Sequence, residues 1–312
     1  MGKYRKWLKL LGVALWIYII LQLDFTKIGE VLRLMDIRWL VAASIFLIGM
    51  FLLKAFRWQT LINLQGIRYR WTKTMGITFV SSFFGLLVPG KMGDIIKVSY
   101  LKDSGLSITR SMVSILLDRF YDLLVLLMFS LFGLAYFAHM FTSQVSEISI
   151  ILLIVVLGAA LVIGLRGRIF SSAKKLLRIL VTPSFYDTIS QEWSLFKEEF
   201  RTVARKTVLP MALLSVLSYL CMFSQFFAVA RGLGLAAPFL YLGLSLSLAT
   251  FVSLLPISIG GLGTREAVFI LMLGKISISP EAAVLLSFID LVVFAVLLPG
   301  LFTLPFWLKR EE

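Results

Sequence analysis

The sequence predicts an all-α polytopic membrane protein, and three observations carry that prediction. Of the 312 residues, 59% are hydrophobic, and the mean hydropathy is +0.94; ordinary soluble domains are about 45–50% apolar. Several uninterrupted apolar runs approach or exceed the roughly 20 residues that a membrane-crossing helix needs. The short alternating segments of a transmembrane β-barrel are absent. The chain is read as one integral membrane domain over 1–312, with about six full spans and two Pro/Gly-broken, re-entrant hairpins.

The first element is 7–23. Lys3, Arg5, Lys6 and Lys9 precede Leu10–Leu23 in the manner of a signal peptide, but the run ends in Asp24-Phe-Thr-Lys27 without a small-residue cleavage site. An uncleaved first helix is expected. Full spans follow at 38–56, 111–138, 148–165, 207–230 and 280–308, while 74–102 and 238–275 are apolar segments interrupted midway by Pro and Gly.

Charge sets the expected orientation. The formal net charge is +14, from 31 Lys and Arg against 17 Asp and Glu. In a membrane chain this excess fits basic loops facing anionic lipid at the cytoplasmic surface, with no nucleic-acid partner. The basic stretches are the N-terminus, the loop 57–73 with Arg57, Arg68, Arg70 and Lys73, the segment 166–206, and Lys309-Arg310. The loop 139–147 has no Lys or Arg and belongs outside. All agree if each broken segment returns to its own side or crosses twice, with both termini cytoplasmic in the cell membrane. Within 166–206, Ala173–Val181 and Glu192–Phe200 have the pattern of amphipathic interfacial helices. Cys221 and His139 are single, which excludes an internal disulfide and paired-His metal sites.

The two broken segments resemble each other. Phe84-Gly-Leu-Leu-Val-Pro-Gly-Lys-Met-Gly-Asp94 and Val252-Ser-Leu-Leu-Pro-Ile-Ser-Ile-Gly-Gly-Leu-Gly-Thr-Arg-Glu266 share a Leu-Leu pair, a proline, a glycine turn and an acid opening the next helix. Each precedes a span with an intramembrane acid: Pro89 to Asp122 is 33 positions and Pro256 to Asp290 is 34. The expected topology runs the two acid-bearing spans in opposite directions. An inverted repeat is therefore predicted, the first unit at about 38–165 and the second at about 207–308, joined by 166–206. Matching Pro/Gly interruptions in two such halves point to a transporter's binding site.

Non-helical backbone within a membrane must line protein or a wet cavity. The turns Pro89, Gly90, Lys91, Gly93 and Pro256, Gly260, Gly261, Gly263 are the candidates. Helices opening near Gly93 and Thr264 would aim free N–H groups at that cavity, an arrangement that suits phosphate. Lys91, Lys97 and Arg265 add positive charge. Asp94 and Glu266 also read as first-turn caps. Asp118, Arg119 and Asp122 read either as a self-compensating cluster locking helices or as part of the path, with Arg119 able to reach Asp122. Asp290 has no partner in its own helix; Lys91 or Arg265 would supply one. Intramembrane ionisable residues cost about 2.5–3.5 kcal/mol each on insertion scales and are functional candidates by default.

The same residues carry a family resemblance. Phe56-Arg-Trp58, Leu87-Val-Pro-Gly-Lys-Met-Gly-Asp94 with Lys97, Asp118-Arg-Phe-Tyr-Asp122 and Gly260-Gly-Leu-Gly-Thr-Arg-Glu-Ala267 resemble the flippase-like membrane proteins related to the transmembrane domain of lysylphosphatidylglycerol synthase. The resemblance runs from about Leu10 to Trp307. Departures are Gly85, near which family members carry Asn, Lys91 and Lys97, where they carry Arg, and Asp94, where they carry Glu. A lysine keeps the charge but lacks arginine's bidentate fork.

The resemblance implies movement of a lipid between leaflets, an aminoacylated phospholipid in the named relatives and polyprenyl-phosphate-linked sugars in others. The soluble aminoacyl-transfer domain of the full synthase is not in this sequence, so synthesis of that lipid by this chain is not expected. The leading expectation is a flippase for a phosphate-bearing headgroup, without catalytic residues, metal or cofactor. The alternatives are a membrane-embedded Mg²⁺-dependent prenyl- or phospho-transferase using Asp118 and Asp122, or a non-catalytic scaffold for a lipid or glycan synthase. A homo-oligomer or such a synthase partner is compatible with the sequence.

Overall fold

The computed structural model describes residues 17–33, 35–87, 92–138, 183–254 and 261–308. The expected span 148–165, most of the first helix, Pro89, Gly90, Lys91, Pro256, Gly260 and the segment Ala173–Val181 lie outside these. After a helical stretch at 17–21, the elements are α1 (Phe25–Arg33), α2 (Ile37–Leu64), α3 (Trp71–Leu87), a 3-10 turn (Met92–Ile95), α4 (Ile96–Asp103), α5 (Ile108–Phe137) and α6 (Pro183–Gly232). They continue as α7 (Phe239–Val252), α8 (Thr264–Gly274), α9 (Pro280–Ile289), a π-helical segment (Asp290–Leu297) and α10 (Leu298–Leu308). Among the described residues, four stretches are long and apolar enough to cross a membrane: Ile37–Leu64, Ile108–Phe137, Thr207–Gly232 and Pro280–Thr303. The chain is an all-α, multi-pass membrane protein.

Local chemistry sets the helix ends. Asp36 caps α2 by accepting from the backbone N–H of Arg38, Ser107 caps α5, and Ser279 followed by Pro280 opens α9, as N-cap and first-turn preferences dictate. α2 and α4 are each followed closely by a glycine at positive φ, Gly66 and Gly105, the conformation that stops a helix most readily without a Cβ.

Three sequence expectations change. The span 38–56 runs on to Leu64, so Arg57 is a buried residue of α2 and not part of a cytoplasmic loop. Trp58, Leu61 and Ile62 continue its buried face, and two acids of α5 compensate Arg57, so nothing ends the helix there. The linker 166–206 is not a separate interfacial piece from Pro183 onward. It is continuous with the following span in one helix of 50 residues with Pro210 inside. Phe196, Phe200 and Val203 of that extension pack with Leu61, Val113 and Leu117, and Glu199 pairs with Arg110 at 3.0 Å. The last span also departs from a plain α-helix, passing into π-helical turns at Asp290. Such bulges gather at functional sites.

Two parts of the chain repeat the same order: long helix, shorter helix, break, short helix, long helix. α3 and α7 begin at 71 and 239, and Gly66 and Gly234, both at positive φ, are also 168 positions apart. After the break the separation becomes 172. It relates Met92 to Thr264, the left-handed Gly105 to Ser277, and the N-caps Ser107 and Ser279. Asp118 and Asp290 then each lie eleven residues after their N-caps. The register therefore matches Asp290 with Asp118, not with Asp122 as the proline spacing implied.

The two parts also exchange partners. α2 and α6 run antiparallel: the N–H of Asp36 donates to the carbonyl of Gly232 at 2.8 Å, Gly49 lies against Cys221, and Arg57 reaches Ser215 at 2.6 Å. α5 packs on α7, where the Ser130 hydroxyl donates to the Ser247 carbonyl at 3.1 Å. α10 packs on α3, where the rings of Phe302 and Phe79 lie 5.0 Å apart. Those two contacts are the same contact in the numbering, since 130 and 302 are 172 apart and 79 and 247 are 168 apart. A shared apolar core around Phe223, Phe226, Leu242, Phe269 and Leu286 holds the assembly together.

Candidate functional site

A cavity of about 220 Å³ lies where the broken segments meet the long helices. Its charged lining consists of four cations, Lys54, Lys97, Arg119 and Arg265, and four carboxylates, Asp94, Asp118, Asp122 and Asp290. Among the described residues, the formal charge of that lining is zero.

Each carboxylate is held by a base from another element. Arg57, 1% exposed, donates from Nε to Asp118 Oδ1 and from Nη1 to Asp122 Oδ1, both at 2.7 Å. It thereby joins α2 to two successive turns of α5, while its bond to Ser215 adds α6. Lys97 Nζ lies 3.1 Å from Asp94 Oδ1 and 3.1 Å from Asp118 Oδ2, above the ring of Trp58. Lys54 stands 3.6 Å from Asp122 Oδ2. Arg119 pairs with Asp94 across the break, although its position three residues before Asp122 had pointed to that acid instead. Arg265 pairs with Asp290, the within-unit partner that the sequence allowed. Taking charges this deep is costly unless they are paired and hydrogen-bonded, and mutual pairing removes most of that cost.

Other expected residues sit elsewhere. Glu266 does not line the cavity. It accepts from the Gly263 N–H at 2.6 Å and from the Ser287 hydroxyl at 2.8 Å, so it caps α8 and ties that helix to α9. Gly261 (φ +87°) and Gly263 (φ +81°) form the turn before α8. A Cβ on Gly261 would stand 2.5 Å from Ser253 Oγ, so only glycine fits. Gly93 lies in the 3-10 turn that carries Asp94.

Two cavity residues escaped the sequence reading. Lys54 was hidden inside an expected span, one helical turn before Arg57. Gln225, 3% exposed, lines the cavity from α6, and its Nε2 has no hydrogen-bond partner among the described residues. The Nε of Arg265 is likewise unpartnered. Buried polar groups are nearly always satisfied. Both of these are N–H donors, so the partner that completes them is a hydrogen-bond acceptor.

The lining follows the same numbering as the fold. Lys54 and Met222, Thr78 and Leu246, Ser82 and Thr250, and Gly85 and Ser253 are each 168 apart. Asp118 and Asp290, Arg119 and Leu291, and Asp122 and Phe294 are 172 apart, and all fourteen residues line the cavity.

Antiparallel long helices, two interrupted segments and a charged cavity between them define a multi-pass membrane protein with an internal polar site. The chain belongs to the lysylphosphatidylglycerol synthase TM region family, which it matches over residues 7–300. That membership gives the protein a membrane-lipid context. No curated protein matches the chain.

Proposed function

We propose that the protein is a lipid transporter of the flippase type, not an enzyme. It moves a phosphate-bearing headgroup, that of a phospholipid or a polyprenyl-phosphate-linked lipid, between leaflets. One observation carries this reading: a cavity walled by both interrupted segments, with balanced charges and two unsatisfied donors. Phosphate oxygens would complete Gln225 and Arg265, and any cationic part of the headgroup would find Asp122 or Asp290. The residues assigned to binding and translocation are Lys54, Asp94, Lys97, Asp118, Arg119, Asp122, Gln225, Arg265 and Asp290. Pro89, Gly90, Lys91, Gly93, Pro256, Gly260, Gly261, Gly263 and Glu266 fall in the two interrupted stretches of the sequence.

The recurring offset and the antiparallel pairing of α2 with α6 support an inverted repeat with re-entrant hairpins. An inverted repeat offers two related conformations that open to opposite sides. The basic segments favour the cell membrane with both termini in the cytoplasm. Asp118 and Asp122 are already engaged by Arg57, Lys97 and Lys54, which argues against a Mg²⁺ site on that pair.

The test is leaflet translocation of fluorescently labelled phosphatidylglycerol in liposomes containing the purified protein. The wild type is expected to accelerate translocation, and Arg265→Gln or Asp290→Asn to slow it at least tenfold. Unchanged rates in both variants would remove these residues from the path. A Mg²⁺-dependent covalent product would replace the transport reading with the enzymatic one.

A further inference from the structure

A second cavity, of about 450 Å³, lies between α3 and the last span. It is lined by Phe83, Phe84, Val296, Leu297, Gly300 and Thr303, along with Leu301. We propose that this crevice is the binding site for a hydrocarbon chain of the transported lipid while the headgroup occupies the charged cavity. The proposal rests on the transport reading and adds the tail's location.

Three observations carry it. First, the two cavities are neighbours along both walls. Phe84 lines the crevice and Gly85 the charged cavity; Val296 lines the crevice and Ala295 the charged cavity. One molecule with a polar head and an apolar tail can therefore fill both. Second, the crevice has the chemistry and size of a tail site. Its lining is apolar but for the Thr303 hydroxyl, which is turned to the Gly300 carbonyl at 2.6 Å. Its volume is within the roughly 300–1,000 Å³ of small-ligand pockets.

Third, the last span bares to the crevice a residue whose counterpart in the first part is buried. The position 172 residues before Leu297 is Val125, which packs into the core at 2% exposure, whereas Leu297 is 52% exposed. Phe129, the counterpart of Leu301, instead packs its ring against Phe223 of α6, with ring centres 4.9 Å apart. Gly300 lets the Phe83 ring approach the last span at the crevice wall, since a Cβ there would meet that ring at 3.0 Å. The π-helical turns end at Leu297, so the irregular backbone runs from the charged cavity to the crevice.

The occupant is thus a lipid chain whose head is anchored in the charged cavity, not an annular lipid lying loosely on the surface. The distinction is measurable. The full-length protein is placed in lipid nanodiscs with a phosphatidylglycerol probe carrying a photoactivatable diazirine in mid-chain, and crosslinked residues are mapped by mass spectrometry. Crosslinks at Phe84, Gly300 and Thr303 are expected to fall at least fivefold with excess unlabelled phosphatidylglycerol but not with diacylglycerol, which lacks the phosphate. Leu297→Trp, filling the crevice, should abolish those crosslinks and slow translocation at least fivefold. Leu213→Trp, on an exposed position of α6, should change neither.

Equal competition by diacylglycerol, or crevice crosslinks that do not saturate, would overturn the tail site. So would a wild-type crosslink map confined to other faces. If wild-type liposomes still translocate the probe, only the tail site falls. If they do not, the transport reading falls first.

Discussion

Replacing Arg57 by Leu tests whether the buried network is a keystone of folding. The guanidinium joins Asp118, Asp122 and Ser215 at 2.6–2.7 Å from a side chain 1% exposed. Without it, Lys97 still faces Asp118 at 3.1 Å and Lys54 still faces Asp122 at 3.6 Å. Asp118 and Asp122 then lose their shortest ion pairs, and Asp122 is left with the longer 3.6 Å contact to Lys54. Stranding a buried charge costs about 3–5 kcal/mol. The direct attraction gives the same order, since unit charges about 4 Å apart at an effective dielectric near 20 attract by about 4 kcal/mol. Against a typical total stability of about 5–15 kcal/mol, that is a large loss. At about 2 °C per kcal/mol for a chain of this size, the midpoint should fall by about 6–10 °C. The assay is thermal unfolding in detergent, followed by tryptophan fluorescence. Arg57→Leu combined with Asp122→Asn removes one charge of each sign and should recover about 2 kcal/mol or more, so the two changes must be non-additive. A fall under about 2 °C for Arg57→Leu, or strict additivity, would refute the reasoning.

Gln225→Leu should behave in the opposite way. It deletes a buried donor without a partner among the described residues, a group that costs about 1–3 kcal/mol when unsatisfied, so thermal stability should hold or rise. Translocation in liposomes should meanwhile drop about tenfold, and a loss of stability without a loss of transport would contradict the assignment. Gly261→Ala forces a Cβ onto a φ of +87° and to within 2.5 Å of Ser253 Oγ. The backbone conformation alone costs about 1–2 kcal/mol. Unfolding should shift down accordingly, with partial rescue by Ser253→Gly; no shift at all would show that the turn is relaxed differently.

Much of this was legible in the sequence, for reasons that can be named. Spans announce themselves because apolar length is a local property. Pro, Gly and a following acid mark a break because each acts on its own backbone. That made 74–102 and 238–275 readable as interrupted, and Asp94, Asp118, Arg119, Asp122, Arg265 and Asp290 readable as candidates. Partner choice was not legible, because it is set by packing. Arg57 looked like the first residue of a basic loop, because a charge after an apolar run ordinarily ends a span. The only contrary sign was the apolar positions Trp58, Leu61 and Ile62 continuing at helical spacing. Arg119 was assigned to Asp122 by helix geometry alone, whereas the break brings Asp94 closer. Gln225 gave no signal, because one uncharged amide in an apolar helix is unremarkable until a cavity opens beside it.

The register of the repeat explains how one cavity can suit two kinds of surface. Where the first part of the chain places Lys54, Arg119 and Asp122, the second places Met222, Leu291 and Phe294 at the corresponding positions. Of the matched pairs that line the cavity, Asp118 and Asp290 are the one charged in both, and Asp94 is matched by Glu266, which caps α8 outside it. One wall therefore carries three cations and three carboxylates, while the other carries only Arg265 and Asp290 among uncharged residues, with Met222, Leu246, Leu291, Phe294 and Ala295 as its apolar part. Matched backbones with unmatched side chains keep the two-fold packing while dividing the lining by polarity. The apolar wall is also the one that leads through Ala295 and Val296 to the crevice. A headgroup would face α2 and α5, while its chain would leave along the last span. That division predicts the result of moving a charge across it. Phe294→Asp would add a carboxylate to the wall whose one described base, Arg265, is already paired with Asp290. It should lower stability by about the 2.5–3.5 kcal/mol of an unpaired intramembrane charge, read as a fall in thermal midpoint. Phe294→Leu, which keeps the wall apolar, should leave the midpoint within about 1.5 kcal/mol of the parent. Equal tolerance of both would show that the cavity has no polar and apolar sides.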